Sequence, residues 1–202
     1  MMPSAVRAVL ASRNAGKLAE VRAIMGEGLD VLDLGAFPPF RLPPEDGVTY
    51  MENALGKARA VARALGVAAL ADDSGLEVDA LAGAPGVHSS RYAGDEGDAE
   101  ANTTKLLAAL AGVPAGRRRA RFVCVAVLVA ADGREWVADG EVRGAIIENR
   151  RGAGGFGYDP VFVPAGFDRT FAEMSPPEKN ALSHRNRAFR ALTPYLKELP
   201  RP

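Results

Sequence analysis

The chain has 202 residues, of which 48% are hydrophobic, and 25 Lys and Arg residues balance 25 Asp and Glu residues. A chain of this size buries roughly 70% of the surface that its unfolded form exposes, so we expect it to fold alone, as one domain or two lobes. The net charge of zero excludes the bulk positive field with which a protein recruits nucleic acid. Any phosphate must therefore be bound by local groups.

Cysteine content and hydropathy predict a cytoplasmic protein without membrane contact. The single Cys124 can form no internal disulfide, and it lies in the apolar run FVCVAVLVAA, so we interpret it as a buried small hydrophobic residue in a reducing compartment. That run is too short to span a bilayer. The N-terminal stretch is interrupted by Arg7 and lacks the cleavage pattern of a signal peptide.

The first strand, loop and helix form a candidate anion site. The segment from Ala5 to Ala11 predicts a strand, and apolar residues at helical spacing predict a helix that Gly26 ends. Backbone N–H groups at the helix start, the helix dipole and Lys17 all favour an anion. Because the loop lacks the Walker A spacing, an ordinary strand–helix turn remains the alternative. The loop residues are Ser12, Arg13, Asn14, Ala15, Gly16 and Lys17.

A second helix is predicted between two strands. After a strand over residues 29–34, Thr49 and Glu52 form a capping box at the start of a helix from Tyr50 to Leu65, which Gly66 ends. Capping accounts for Glu52. Glu45 lies on the preceding loop and has no capping role. If a cation is bound by an Asp residue of the next strand, we therefore prefer Glu45 to Glu52 as the second carboxylate ligand.

Adjacent carboxylates follow the predicted strand from Val67 to Ala71, in the sequence Asp72-Asp73-Ser74-Gly75. Strand side chains alternate between faces, so at most one of the two Asp residues faces a given pocket while the strand persists. Mg²⁺ takes one or two protein carboxylates and completes its shell with water and substrate phosphates. Asp72 or Asp73 is therefore a candidate metal ligand, and the alternative is an ordinary turn that closes the strand.

The second half of the chain predicts a mixed sheet. A helix from Asp98 to Ala111 precedes a strong strand up to Val129, and the hairpin signal at residues 131–134 leads to an antiparallel partner. Residues 152–157 match G-x-G-x-x-G, but the strand-like run that follows them excludes a dinucleotide fingerprint, which requires a helix there. We interpret the segment as a flexible loop that presents Phe156, either as a platform for stacking on a base or as a hydrophobic plug.

The C-terminal region predicts a helix that starts at Ser175, with Pro176 in its first position and Glu178 completing a capping box. In an unbroken helix Lys179 and His184 would point about 140° apart. They can share a ligand only if the helix breaks. Ser183 can cap a second helix with His184 and Arg185 in its first turn and apolar residues at Phe189, Leu192, Leu196 and Leu199.

Five ordered motifs resemble those of the inosine triphosphate pyrophosphatases, also called non-canonical purine NTP pyrophosphatases. Arg13 departs from that family's pattern, which usually has glycine there. The motifs span residues 12–185 and are Ser12-x-Asn14-x-x-Lys17, Ala71-Asp72-Asp73-Ser74-Gly75-Leu76, Gly83-Ala84-Pro85-Gly86, Phe156-Gly157-Tyr158-Asp159-Pro160 and Glu178-Lys179-Asn180-Ala181-Leu182-Ser183-His184-Arg185.

The resemblance implies an α/β fold in which two lobes surround a long mixed β-sheet flanked by helices, with a nucleotide cleft between the lobes. Residues 1–202 would form a single nucleoside-triphosphate pyrophosphatase domain and assemble as a homodimer. The implied activity is Mg²⁺-dependent hydrolysis of ITP, dITP and XTP to the monophosphate and pyrophosphate. Such an enzyme would bind a small nucleotide but no nucleic acid polymer.

The resemblance also implies roles for individual residues. Asp73 corresponds to the proton acceptor and a Mg²⁺ ligand, and Glu45 to the second metal carboxylate. We expect Phe156 to stack on the purine while His184 and Arg185 donate to the oxygen at C6. The loop from Ser12 to Lys17 corresponds to the triphosphate site, and the other substrate contacts are Ser74, Phe156, Gly157, Tyr158, Asp159, Lys179, His184 and Arg185.

Two alternatives remain open. A Maf-like nucleotide pyrophosphatase would share the fold and the chemistry but prefer other bases. A non-catalytic nucleotide-binding protein would retain Lys17, Phe156 and Arg185 but tolerate the loss of Asp73.

Overall fold

The computed structural model describes residues 6–94 and 97–199. Its strands are β1 (Val6–Leu10), β2 (Leu29–Asp33), β3 (Ala69–Val78), β4 (Arg119–Val129), β5 (Glu135–Ile146) and β6 (Phe162–Pro164). Its α-helices are α1 (Ala15–Met25), α2 (Tyr50–Leu65), α3 (Ala99–Ala109), α4 (Pro176–Leu182) and α5 (His184–Leu192). Ala5, where the first predicted strand begins, lies outside the described residues. Every helix in the described ranges is too short or too polar to cross a membrane.

The strands form one mixed sheet in the order β2-β1-β3-β4-β5-β6. β1 pairs in parallel with β2 and β3, whereas β5 and β6 are antiparallel. The predicted α/β fold with a mixed sheet flanked by helices is thereby confirmed. The chain divides into two compact units, which comprise residues 6–73, 124–140 and 185–199, and residues 74–123 and 141–184. The single-domain organisation and the cleft between lobes stay predictions.

The first unit places a layer of helices on each face of its strands. Alternate side chains of β1 and β3 belong to different hydrophobic clusters, because successive strand residues point to opposite faces. Leu10 and Leu70 pack in the cluster that contains residues of α1 and α5. Val9 and Ala71 pack in the cluster that contains the small residues of α2. This alternation also sets the direction of the two residues that follow Ala71.

The second unit has one hydrophobic cluster. It combines Leu76 from β3, Phe122 from β4 and Phe162 from β6 with Leu106 from α3. Phe122 and Phe162 contact each other with ring centroids 4.7 Å apart. Tyr158, which follows the glycine-rich loop, belongs to the same cluster.

β3 differs from its prediction. The predicted end at Ala71 is wrong, since the strand continues through both Asp residues to Val78. Leu76 and Val78 are fully buried, so the apolar pattern resumes after the polar residues and holds the strand in the sheet. Cations on both faces of the strand compensate the two buried carboxylates. The strand therefore does not have to turn at Asp72 to bring them to solvent.

The predicted break in the C-terminal helix is confirmed. α4 begins with the expected capping box and ends at Leu182, and the next residue, Ser183, has an extended backbone (φ −65°, ψ 151°). α5 then starts at His184 but ends at Leu192, short of the predicted Leu199, and a 3-10 turn continues to Glu198. Pro194 lies in the first turn of that segment and has no N–H for an α-helical bond, which accounts for the early end.

Candidate active site

Asp72 and Asp73 are both buried, and they point to opposite faces of β3. Asp72 shares the face of Leu70, toward the cluster with α1 and α5, whereas Asp73 shares the face of Ala71, toward α2. Their residues are only 2% and 4% exposed. Each carboxylate therefore requires its own compensating partners, because an unpaired buried charge is strongly unfavourable.

Two side chains of α2 bond the segment around Asp73. Asn53 donates from Nδ2 to Oδ2 of Asp73 at 2.8 Å. Lys57 donates to Glu45 Oε1 at 2.5 Å and to the backbone carbonyl of Asp72 at 2.7 Å. Burial lowers the pKa of Lys57, but the carboxylates of Glu45, Asp72 and Asp73 outweigh it and raise that pKa above its usual value. Lys57 is therefore a permanent cation beside the carboxylates.

The environment of Asp73 makes its carboxyl more basic than usual. Burial raises the pKa of Asp73, and the charge of Glu45 adds to this rise, whereas Lys57, the hydrogen bond from Asn53 and Lys17 oppose it. The net direction is upward. A raised pKa suits a residue that accepts a proton near neutral pH, because general bases work best when their pKa approaches the working pH.

Two carboxylates, Glu45 and Asp73, are the residues that could hold a hard cation here. Within the described ranges no cluster of three or more His, Cys, Asp or Glu side chains is arranged to hold a metal ion. Glu45 and Asp73 nevertheless interact electrostatically, and Mg²⁺ needs only one or two protein carboxylates. Glu52 accepts from the N–H groups of Val48 and Thr49, so its carboxylate caps α2 as predicted.

The loop before α1 has the geometry of a helix-start anion site. Asn14 is the N-cap, and its Oδ1 accepts the N–H of Lys17 at 3.0 Å. Ser12 Oγ accepts the N–H of Asn14 at 3.2 Å. Arg13 donates to the carbonyl of Phe40 at 2.6 Å, so the residue that departs from the family pattern anchors the loop to the proline-rich segment of residues 37–44. Ala15 and Gly16 form the first turn of α1.

Asp72 joins the first turn of α1 to the first turn of α5. Its Oδ2 lies 3.2 Å from Lys17 Nζ and 3.2 Å from Arg185 Nη2. Arg185 also donates from Nη1 to Glu20 Oε2 at 2.5 Å and is only 2% exposed. Burial lowers the pKa of Arg185, but the charges of Asp72 and Glu20 outweigh burial and raise that pKa above its usual value. The guanidinium thus bridges two carboxylates in the interior of this unit.

The second unit gathers another set of the predicted substrate residues. Lys179 Nζ lies 2.6 Å from Asp159 Oδ2 and 4.5 Å from the centroid of the Phe156 ring. The same Asp159 oxygen accepts the N–H of Phe156 at 2.8 Å. Gly155 permits this close approach, because a Cβ there would lie 2.1 Å from Asp159 Oδ2. The glycine-rich loop is thus fixed around Phe156 by a buried ion pair.

Four other predicted contacts have defined surroundings. Tyr158 donates its hydroxyl to the carbonyl of Ser89 at 2.9 Å, and burial raises the pKa of this hydroxyl above its usual value. The His184 ring stacks on Phe122 at 4.9 Å. Thr103 donates to the carbonyl of Gly157 at 3.4 Å, and Ser74 is half-buried on β3. Their roles toward a substrate stay predictions.

Reasoning from the sequence missed Asn53 and Lys57. A signal was present. The two residues are four apart, and each directly precedes an alanine, Ala54 or Ala58, on the buried side of α2. A lysine on a buried face requires a partner. Nothing in the local pattern identifies that partner, since Glu45 and Asp72 lie 12 and 15 residues from Lys57 in the chain.

A helix-start anion site, together with the carboxylates of Glu45 and Asp73 beside the ammonium of Lys57, is typical of a protein that acts on phosphate groups. The profile of the Ham1 family matches residues 8–195, and the chain belongs to this family. The dITP/XTP pyrophosphatase of Streptomyces avermitilis is 50% identical over 196 residues, which cover 96% of this chain and 98% of that protein. The dITP/XTP pyrophosphatase of Mycobacterium tuberculosis is 52% identical over 202 residues, covering 98% of each chain.

Solved structures give the same result. The Staphylococcus aureus Ham1 protein matches with a TM-score of 0.83 and 40% identity, covering 95% of this chain and 98% of that one. A HAM1 protein from Coxiella burnetii matches with a TM-score of 0.82 and 40% identity, covering 96% and 99%. The family resemblance drawn from the five motifs is confirmed.

Proposed function

We propose that this protein hydrolyses ITP, dITP and XTP to the monophosphate and pyrophosphate in a Mg²⁺-dependent reaction, and so removes abnormal purines from the nucleotide pool. The observation that carries the proposal is the buried carboxylate of Asp73, placed with Glu45 and Lys57 in the unit that also holds the Ser12–Lys17 loop. The relatives at about 50% identity, named dITP/XTP pyrophosphatases, support the choice of substrate.

Different residues of the chain bind the polyphosphate, accept the proton and offset the charge of the carboxylates. Lys17 and the N–H groups at the start of α1 bind the polyphosphate, and Asp73 accepts the proton of the attacking water. Lys57 offsets the negative charge of the carboxylates, since its ammonium stays protonated. Glu45 and Asp73 would hold Mg²⁺, which when bound neutralises phosphate charge and acidifies water. Catalysis is then mainly positioning and charge stabilisation at the α-phosphate.

A panel of nucleoside triphosphates assayed with Mg²⁺ tests this proposal. We expect ITP, dITP and XTP to be preferred over ATP and GTP, pyrophosphate to be the product without stepwise orthophosphate, and EDTA to abolish the activity. Orthophosphate as the first product would refute the reaction. Preference for another base would favour the Maf-like alternative, and binding without turnover would favour a non-catalytic nucleotide-binding protein.

Phe156→Ala tests the stacking role of the aromatic ring. We expect it to weaken binding of all purine substrates in parallel by about 1–3 kcal/mol, or roughly 5- to 150-fold, because stacking treats every purine alike. KM values for ITP, XTP and ATP measure the effect. Phe167→Ala, at a ring that is 43% exposed in the same unit, is the matched control. Unequal factors, or a fall in stability with unchanged KM, would show that Phe156 is a hydrophobic plug.

The homodimer and the cytoplasmic location belong to the same proposal. The dimer rests on the family resemblance alone, and the location rests on the composition of the chain. Light scattering at micromolar concentration tests the dimer, and a monomer would refute it.

A further inference from the structure

We propose that Asn53 is a positioning residue that fixes the carboxylate of Asp73 relative to the loop that carries Glu45. The inference deepens the proposed function and rests on it. Asn53 is 4% exposed and lies on the second turn of α2. Asn is a poorer helix former than Ala by up to roughly 0.7 kcal/mol, and a buried amide requires hydrogen-bond partners, so its place on a buried helix face requires an explanation.

Both ends of the Asn53 amide have partners. Oδ1 accepts the N–H of Gly47 at 2.8 Å, and Nδ2 donates to Asp73 Oδ2 at 2.8 Å. The backbone N–H can only donate and an ionised carboxylate can only accept, so the opposite amide orientation would lose both bonds. Gly47 therefore determines which end of the amide faces Asp73. The amide in turn determines how the carboxylate is rotated.

Gly47 is required for this arrangement. A Cβ on Gly47 would lie 2.6 Å from Asn53 Oδ1 and 2.9 Å from the Cβ of Glu52. Any other residue would push the loop away from α2 or displace the amide. Because Gly47 is two residues after Glu45, the same hydrogen bond also fixes the end of the loop that carries Glu45.

Lys57 completes the connection one turn further along α2. Its ammonium bonds Glu45 and the carbonyl of Asp72, so Asn53 and Lys57 reach the same two segments from one helix face. Lys57 contributes a positive charge, whereas the neutral amide of Asn53 orients the carboxylate of Asp73 by a hydrogen bond. Groups that orient metal-binding carboxylates in this way typically change metal affinity or activity 10- to 100-fold when they are removed.

The test compares Asn53→Ala with Asn102→Ala. Asn102 is also buried, at 3% exposure, and its amide likewise joins a backbone N–H (Ala93, 2.6 Å) to an acceptor (Ser90 carbonyl, 3.0 Å). Both substitutions delete a buried amide with two partners, so their structural costs are matched. We expect kcat for ITP to fall by about 10- to 100-fold in Asn53→Ala and by less than about threefold in Asn102→Ala.

A second readout does not depend on turnover. Mn²⁺ is titrated into each protein, alone and with α,β-methylene-ITP, and free Mn²⁺ is followed by electron paramagnetic resonance. We expect the affinity for Mn²⁺ to fall about tenfold or more in Asn53→Ala and to stay unchanged in Asn102→Ala. If wild-type protein hydrolyses no nucleotide, the proposed function fails, while the Mn²⁺ titration still decides the positioning role.

Gly47→Ala keeps the test decisive even if Asn53→Ala does not fold. It leaves the amide present but displaces it, and we expect the same losses of kcat and Mn²⁺ affinity. Gly56→Ala is its control, since a Cβ on this α2 glycine would meet no atom within 4 Å. If Gly47→Ala and every folded Asn53 variant match their controls in both readouts, Asn53 serves stability alone and the proposal is overturned.

Discussion

Asp73→Asn is expected to lower kcat for ITP by a factor on the order of 10² or more while substrate binding stays within about tenfold. The amide keeps the size of the side chain but cannot accept the proton of the attacking water. Removal of a negative charge need not weaken an anionic ligand, so the loss falls on turnover. Single-turnover kinetics and equilibrium binding of α,β-methylene-ITP separate the two quantities.

Glu52→Gln is the matched control for that substitution. Glu52 lies in the first turn of α2, the helix that also carries Asn53, but its carboxylate caps that helix. We expect Glu52→Gln to retain kcat within about threefold. Near-normal turnover of Asp73→Asn would show that Asp73 is not the proton acceptor. A large loss in Glu52→Gln would instead mean that the preference for Glu45 over Glu52 is wrong.

Arg185→Ala is expected to destabilise the protein by about 3–5 kcal/mol, because it leaves the buried carboxylate of Asp72 without its guanidinium partner. Urea unfolding measures this loss. We also expect hydrolysis of ITP and ATP to fall by the same factor, since the contacts of Arg185 with Asp72 and Glu20 lie within the protein. This differs from the expectation drawn from the sequence, which gave Arg185 a selective role at the base.

Arg59→Ala provides the comparison. Arg59 forms a two-bond ion pair with Glu135 at 2.6 and 2.7 Å, but its side chain is 51% exposed. Exposed pairs contribute only about 0.2–1 kcal/mol, so the difference between the two variants isolates the effect of burial. Normal stability of Arg185→Ala, with a loss confined to ITP, would restore the sequence-based role in recognition of the C6 oxygen.

Local sequence rules predicted much of what positions the site. The capping box of Thr49 and Glu52, the helix start at Ser175 and the break at Ser183 follow from side chains within a few residues of each other. The opposite directions of Asp72 and Asp73 follow from strand alternation alone. Such features need no knowledge of distant partners.

The missed partners of the buried charges and the missed length of β3 depend on long-range pairing. The sequence did not reveal the ion pair of Arg185, because its partner Asp72 is 113 residues away in the chain. The two Asp residues resembled a strand end, because Asn53, Lys57 and Arg185 compensate them only in the folded protein. Tertiary partners therefore determined the length of β3, and local propensity could not reveal them.

Hydrolysis of ITP in ¹⁸O-labelled water tests the central claim most directly. If Asp73 accepts the proton of water that attacks the α-phosphate, one labelled oxygen appears in IMP and none in pyrophosphate, as mass spectrometry of a single turnover would show. Label in pyrophosphate would place the attack on the β-phosphate, and label in orthophosphate would mean stepwise hydrolysis. Either result would contradict the proposed reaction.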